Sequence, residues 1–299
     1  MIFKCNFAIV NTLIMNTLSP TQVGNYYNKS HKWYKLLYIE RESLAIHYGF
    51  WERGGSKENA LINQYREIKR ILDPKVGELI LDSGCGVGGA SLWLAEHTPA
   101  QYIGVTISDV HYREAVQNVQ DRKLASRVQL LKADYFHTDF PDQKFDKIFA
   151  IESFCYAYPD PTKLYKEMFR ILKPGGILVI SDGVLLRKTK NITEQKMADN
   201  FCIGFKMNGW STPSQIVSSL GTTGFIDMAV EDKTDAIEPS VHEIYWKGIL
   251  GSPLRILRLL RIVSQDEDEN YLALLAQKHM YDAGLFGYQI FSAKKPDQS

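Results

Sequence analysis

The sequence predicts an α/β protein built on a seven-stranded, mostly parallel sheet with helices on both faces. Three observations predict it. A glycine loop, Asp82-Ser83-Gly84-Cys85-Gly86-Val87-Gly88-Gly89, stands between an apolar run (Glu78 to Leu81) and a helix-like run (Ala90 to Glu96). Short apolar runs then alternate with helix-like segments as far as Asp182. Strands that alternate with helices form parallel sheets, because each crossover must cross one face of the sheet. Finally, Leu172-Lys173-Pro174-Gly175-Gly176 closes a helix and leads into the strand Ile177 to Asp182; Pro and Gly there also serve as local punctuation.

The elements follow in chain order. Residues 1–20 are mildly apolar but broken by Asn11 and Thr12, too short and polar to span a membrane. They are expected to be a disordered leader, with Met15 as an alternative start. Residues 21–296 are expected to form one domain. Residues 21–75 form a helical arm rich in aromatics, and 76–182 hold five strand–helix units that bind a cofactor. Residues 183–284 supply substrate-side helices, a sixth strand at Phe225 to Asp232 and a helical lid. Residues 285–296 contain the last strand, Phe286 to Lys294.

Composition narrows the function. The 299 residues, 45% hydrophobic and 23% charged, suffice for a full core. A net charge of +1 gives no electrostatic footprint for nucleic acid, and none is expected as a partner. Cys5, Cys85, Cys155 and Cys202 stand far apart with no Cys-x-x-Cys pair, so no metal or disulfide framework is expected. A reducing cytoplasm fits. Pro253 to Val263 places Arg255, Arg258 and Arg261 on one face of a helix with apolar residues opposite. A lid packed over the acceptor is the favoured reading of that segment, and weak contact with a membrane surface is the alternative.

Glycines let a backbone turn sharply and approach a ligand, and the following helix offers free N–H groups. Gly84, Gly86 and Gly89 satisfy the dinucleotide pattern G-x-G-x-x-G. Asp82, Gly84, Gly86 and Gly88 equally resemble the acid-x-Gly-x-Gly-x-Gly loop of S-adenosylmethionine-dependent methyltransferases. A nicotinamide enzyme needs an acid closing the second strand, about 20 residues on. That strand, Gln101 to Thr106, runs on into Ile107 and Ser108, and Asp109 comes late. The third strand, Val128 to Ala133, is followed by Asp134, and the fourth, Phe145 to Glu152, ends in that carboxylate. The whole set resembles a Rossmann-like class I methyltransferase.

Within that class, Ala150-Ile151-Glu152-Ser153-Phe154-Cys155-Tyr156-Ala157 resembles a segment of the sterol C-methyltransferases. Tyr26-Tyr27-Asn28 and His47-Tyr48-Gly49-Phe50-Trp51 resemble their N-terminal arms and those of tocopherol methyltransferases and cyclopropane-fatty-acid synthases. The family's histidine after the cysteine is Tyr156 here, and the aromatic box of the sterol enzymes is not cleanly present. The resemblance implies C-methylation of a lipid-like or isoprenoid-derived acceptor; N- or O-methylation of a small metabolite is the alternative, and nicotinamide chemistry a distant third.

The resemblance also implies roles. Asp82, Gly84, Gly86 and Gly88 would hold the methionine portion and ribose of S-adenosylmethionine. Thr106 would bond a ribose hydroxyl and Asp134 the adenine amine; a plain strand-end hydroxyl and a helix N-cap are the alternatives. Tyr26, Tyr135 and Ile151 complete the cofactor set. Tyr48, Trp51, Phe154 and Tyr158 would line the acceptor pocket. Glu152, Tyr156 and His47 are the catalytic candidates, since a methylated alkene is a cation that needs a carboxylate or aromatic face and a base.

Overall fold

The computed structural model describes residues 18–37, 39–52, 55–251 and 265–297. Two helices come first, α1 (Pro20–Leu37) and α2 (Lys57–Leu72), joined by an irregular stretch that carries His47 to Trp51. Then come β1 (Leu79–Ser83), α3 (Gly89–His97), β2 (Gln101–Thr106), α4 (Asp109–Asp121), β3 (Val128–Lys132) and β4 (Phe145–Ile151). A short 3-10 turn leads to α5 (Pro161–Ile171), β5 (Leu172–Leu185), α6 (Ile192–Phe205), α7 (Pro213–Thr223) and β6 (Ile226–Asp232). The described chain closes with α8 (Glu238–Gly251), α9 (Gln265–Asp282) and β7 (Phe286–Lys294).

Local chemistry starts and stops these helices. Ser56 caps α2 by accepting from the Asn59 N–H, and Ser108 caps α4 through the His111 N–H. Thr212 and Gln215 form a reciprocal capping box on α7, which ends at Gly224 in the left-handed region.

The seven strands run in the order β3-β2-β1-β4-β5-β7-β6. β7 is antiparallel to both neighbours and the remaining pairs are parallel. Successive side chains of a strand face opposite sides. Phe149 of β4 therefore joins Ile68 of α2 and Leu92 of α3 on one face. Ile148 and Ala150 join Leu164 and Met168 of α5 and Leu220 of α7 on the other. Each such buried aromatic or aliphatic side chain contributes roughly 1.5–3 kcal/mol.

Four boundaries differ from expectation. Residues 133–144 hold no helix, so one of the five expected strand–helix units is a strand and a turn. The fifth strand continues to Leu185, into the region expected to be helical, because its pairing with β7 extends to Leu185 opposite Phe286. Helix α1 begins at Pro20, inside the expected leader, and the Leu18 N–H already donates to Asn208 Oδ1 at 2.7 Å. The arm is interrupted between α1 and α2. Leader residues 1–17 and the segment Pro253 to Val263, read as a lid or membrane contact, lie outside the described residues.

Candidate active site

In this strand order the chain runs outward in opposite directions from β1 and β4, so a crevice opens at their carboxyl ends, where ligands of open α/β sheets bind. Three chain segments meet there: the loop after β1, the end of β4, and the stretch between α1 and α2.

The loop after β1 is a turn that glycine alone takes without strain. Gly84, Gly86 and Gly88 have φ of +99°, +53° and +89°. A Cβ on Gly84 would sit 2.4 Å from the Ser153 Cβ, whereas one on Gly86 would meet only Ile46 Cδ1, at 3.6 Å. The first packs the loop on β4; the second keeps open the space in front of it. Gly88 is the N-cap of α3 and makes no side-chain cap, so first-turn N–H groups are left for a ligand. A small cavity of about 50 Å³ lies here, lined by Asp82, Gly84, Gly86, Ala90, Ile151 and His47 among others. Asp82 is buried and accepts from Ser91 Oγ at 2.6 Å, bracing α3; burial pushes its carboxyl up to about 7 against that bond. A glycine cradle, an uncapped helix start and a buried acid fit a nucleoside-type cofactor.

Beside it lies a second, aromatic cavity of about 130 Å³. Its wall includes Tyr27, Tyr34, Tyr48, Tyr156, Phe201, Phe205, Trp210 and Phe286, with Glu152, Asp182, His47 and Gln277 as polar members. Ile46 and His47 line both cavities, so the two spaces adjoin at His47.

Glu152 follows β4 with φ of +46°, a left-handed conformation that costs a non-glycine residue of order 1–3 kcal/mol and collects at functional sites. Its Oε1 accepts from the Tyr48 N–H at 2.8 Å and from the Tyr288 hydroxyl at 3.0 Å. Gln64 Nε2 holds the same hydroxyl at 2.6 Å, so a buried chain of neutral donors orients the carboxylate. Burial pushes the Glu152 carboxyl up to about 8, opposed by those bonds and assisted by the Asp182 charge. Asp182 closes the parallel part of β5 and accepts from the Cys155 and Gly183 N–H groups, both at 2.9 Å; burial carries it up to about 7. Neither carboxylate is ion-paired among the described residues.

His47 Nδ1 bonds the Tyr48 carbonyl at 2.8 Å, which makes it the protonated nitrogen. Its Nε2 is buried with no partner among the described residues, and removal from water lowers the ring to about 4. The imidazole is therefore neutral near pH 7, with a free lone pair. Tyr156 donates to the Phe205 carbonyl at 3.0 Å and accepts a hydrogen bond from the Tyr27 hydroxyl at 2.8 Å, which ties α1 to the end of α6.

Other sequence-named residues lie elsewhere. Tyr26 turns away from both cavities, bonding Tyr34 and Asn270, and its neighbour Tyr27 faces the aromatic one. Thr106 is buried at the end of β2 and lines neither cavity. Asp134 caps its own turn through the Phe136 N–H at 2.9 Å, a local bond in place of a helix N-cap. Tyr135 packs on Phe154, which is buried in the opposite face's core, away from the aromatic cavity. Trp51 is pinned to Ser240 at 2.9 Å, and Tyr158 lines a separate surface groove. The sequence reading placed no role on Asp182, Gln277, Tyr288 or the aromatics of α6. Strand-end position flagged Asp182; nothing local flagged the others.

Asp109 opens α4 and pairs with Lys132 at 2.5 Å, so it is not a free acid closing β2. Residues 81–180 match the model of a methyltransferase domain. A methyltransferase from Streptomyces halstedii, GfsG, is 32% identical over 184 residues, 60% of this chain and 64% of its own. Sterol 24-C-methyltransferase from Eremothecium gossypii is 26% identical over 73% of this chain and 60% of its own, so the chain spans about three-fifths of both relatives. The [4+2]-cyclase SpnF shares the fold, with a TM-score of 0.74 at 24% identity over 93% of this chain and 96% of its own. Residues 81–180 thus match a methyltransferase domain, and the chain as a whole is similar to a group of methyltransferases that includes the sterol 24-C-methyltransferases.

Proposed function

We propose that this protein transfers a methyl group from S-adenosylmethionine to a carbon atom of a hydrophobic, lipid-like or isoprenoid-derived small molecule. The observation that carries the reading is the aromatic cavity adjoining the glycine cradle, with the free faces of Glu152 and His47 on it. When bound, S-adenosylmethionine supplies an electrophilic methyl group on a sulfonium. Asp82, the Gly84 to Gly88 loop and Ile151 would hold it. The aromatic wall orients the acceptor and excludes water, which supplies much of the rate in an in-line displacement. Glu152 Oε2, which takes no hydrogen bond among the described residues, faces charge that develops on the acceptor. The unpartnered His47 Nε2 supports a role for it in receiving the proton that the methylated carbon must lose.

The carboxylates Glu152 and Asp182 also suit an amine acceptor, which keeps N-methylation as a second reading. Both are tested by incubating the protein with methyl-labelled S-adenosylmethionine and prenyl, sterol and amine extracts. Label in an organic-soluble product at carbon supports the first; label at nitrogen replaces it with the second. Calorimetry showing NAD binding and no S-adenosylmethionine binding overturns both.

A further inference from the structure

We propose that Gln277 selects the acceptor by donating an amide hydrogen bond to an oxygen, hydroxyl or carbonyl, on an otherwise apolar molecule. The inference rests on the reading of the aromatic cavity as the acceptor site. Gln277, on α9, is 0% exposed and lines that cavity. Its Oε1 is occupied, because the Tyr48 hydroxyl donates to it. Its Nε2 is buried with no partner among the described residues. A carboxamide nitrogen carries two N–H donors, and folded proteins rarely leave buried donors unpaired.

The surroundings say what the missing partner is. Other side-chain N–H groups on this wall are engaged: Trp210 Nε1 with the Ala198 carbonyl at 3.4 Å, and Asn270 Nδ2 with the Tyr26 hydroxyl at 2.8 Å. His47 Nε2 presents an acceptor, which cannot serve a ligand's carbonyl oxygen, and Glu152 Oε2 does the same whenever that carboxyl is ionised, whereas the Gln277 amide donates in either state. Gln277 is thus the neutral donor that such an oxygen would find.

Tyr48 sets this arrangement. Its carbonyl orients His47, its N–H orients Glu152, and its hydroxyl holds the oxygen end of Gln277, leaving the amine end without a partner among the described residues. The site therefore takes a group with one oxygen and an apolar body. The cavity volume of about 130 Å³ compares with engineered apolar cavities of about 150 Å³ that hold a benzene ring.

The test uses two probes of one shape, p-cresol and p-xylene, which differ by a hydroxyl in place of a methyl. Dissociation constants are measured on the full chain and on Gln277→Leu and Gln277→Met. The wild type is expected to bind p-cresol about tenfold tighter or more, although p-xylene is the more hydrophobic. Both variants are expected to lose that preference by about tenfold, while affinity for S-adenosylmethionine stays within about twofold of wild type, showing that they fold. Because the variants are compared by a ratio of ligands, the cost of removing each probe from water cancels.

Equal or tighter binding of p-xylene by the wild type overturns the proposal. So does an unchanged ratio in the variants, or no binding of p-cresol up to its solubility. If neither variant folds, p-tolualdehyde, whose carbonyl only accepts, replaces p-cresol on the wild type, and the absence of any preference for it over p-xylene overturns the proposal. Absence of S-adenosylmethionine binding to the wild type with the p-cresol preference intact would instead overturn the methyltransferase reading and leave Gln277 its role.

Discussion

Glu152 shows how one side chain can be both strained and held. Its left-handed backbone turns the carboxylate back over the crevice, and Tyr48 and Tyr288 bind a single oxygen. Replacing Glu152 with Gln keeps the shape and removes a carboxyl that can ionise towards a developing cation once the positive charge of a bound sulfonium offsets the burial that raises it. Turnover of Glu152→Gln is expected to fall roughly 10²–10³-fold, with cofactor affinity within a few-fold of wild type. If affinity falls and turnover of the bound enzyme does not, the carboxylate is a cofactor clamp, and catalysis moves to His47 or Tyr156. Gly86 gives a second residue-scale outcome. A Val there faces open space but must adopt φ of +53°, at about 1–2 kcal/mol, and fills the cradle. Gly86→Val is expected to fold with a slightly lowered melting temperature and to lose cofactor binding in calorimetry. Gly84→Ala, by contrast, collides with Ser153 and is expected to lose most of its stability.

Among the elements, α1 most directly joins the arm to the cofactor half. Asn28 Oδ1 accepts from the Ser108 hydroxyl at 2.7 Å and the Val110 N–H at 3.2 Å, seating α1 on the start of α4. His31 bonds Glu114 on the same helix at 2.6 Å. Tyr27, on α1 as well, reaches across to Tyr156, so the seating of this helix sets one wall of the aromatic cavity. Asn28→Ala removes both cap-like bonds, worth about 1 kcal/mol. Faster hydrogen exchange across Tyr26 to His31 is the expected result. Unchanged exchange there would show that other contacts seat the helix.

For the whole molecule, buried acids without cationic partners make stability depend on pH. Glu152 is raised to about 8, and Asp82 and Asp182 to about 7, all above their unfolded values. The folded state therefore holds protons that the unfolded state has already lost. Their contribution is full below the unfolded values and disappears as pH rises through the folded ones. His47 and His111, lowered to about 4 and about 3, act oppositely, but only below their unfolded value of 6.5. Between about pH 6.5 and 8 the acids act alone, so the melting temperature of the ligand-free protein is expected to fall across that window. The fall should be shallower in Glu152→Gln and in Asp182→Asn. A flat profile in the wild type would mean that these carboxyls are ionised throughout.

The sequence by itself determined the α/β class, the place of the glycine loop, the acids Asp82 and Glu152 within a residue of their strands' ends, and the bounds of the last strand. Those features are local: apolar runs, turn residues and caps act over a few neighbours, and a strand's end is visible where its pattern stops. Tertiary structure alone decided which aromatics face the aromatic cavity. Tyr26 and Tyr27 are adjacent on one helix, and only the packing of α1 on α4 and α9 turns the second inward. Phe154 and Glu152 are two residues apart, yet one enters the core beneath the sheet and the other the crevice, because the chain leaves β4 in a left-handed turn. Gln277 stands 229 positions from the Tyr48 hydroxyl that orients it. A partner set by long-range packing leaves no mark in the residues beside it, whereas a turn or a cap is written in its own neighbours.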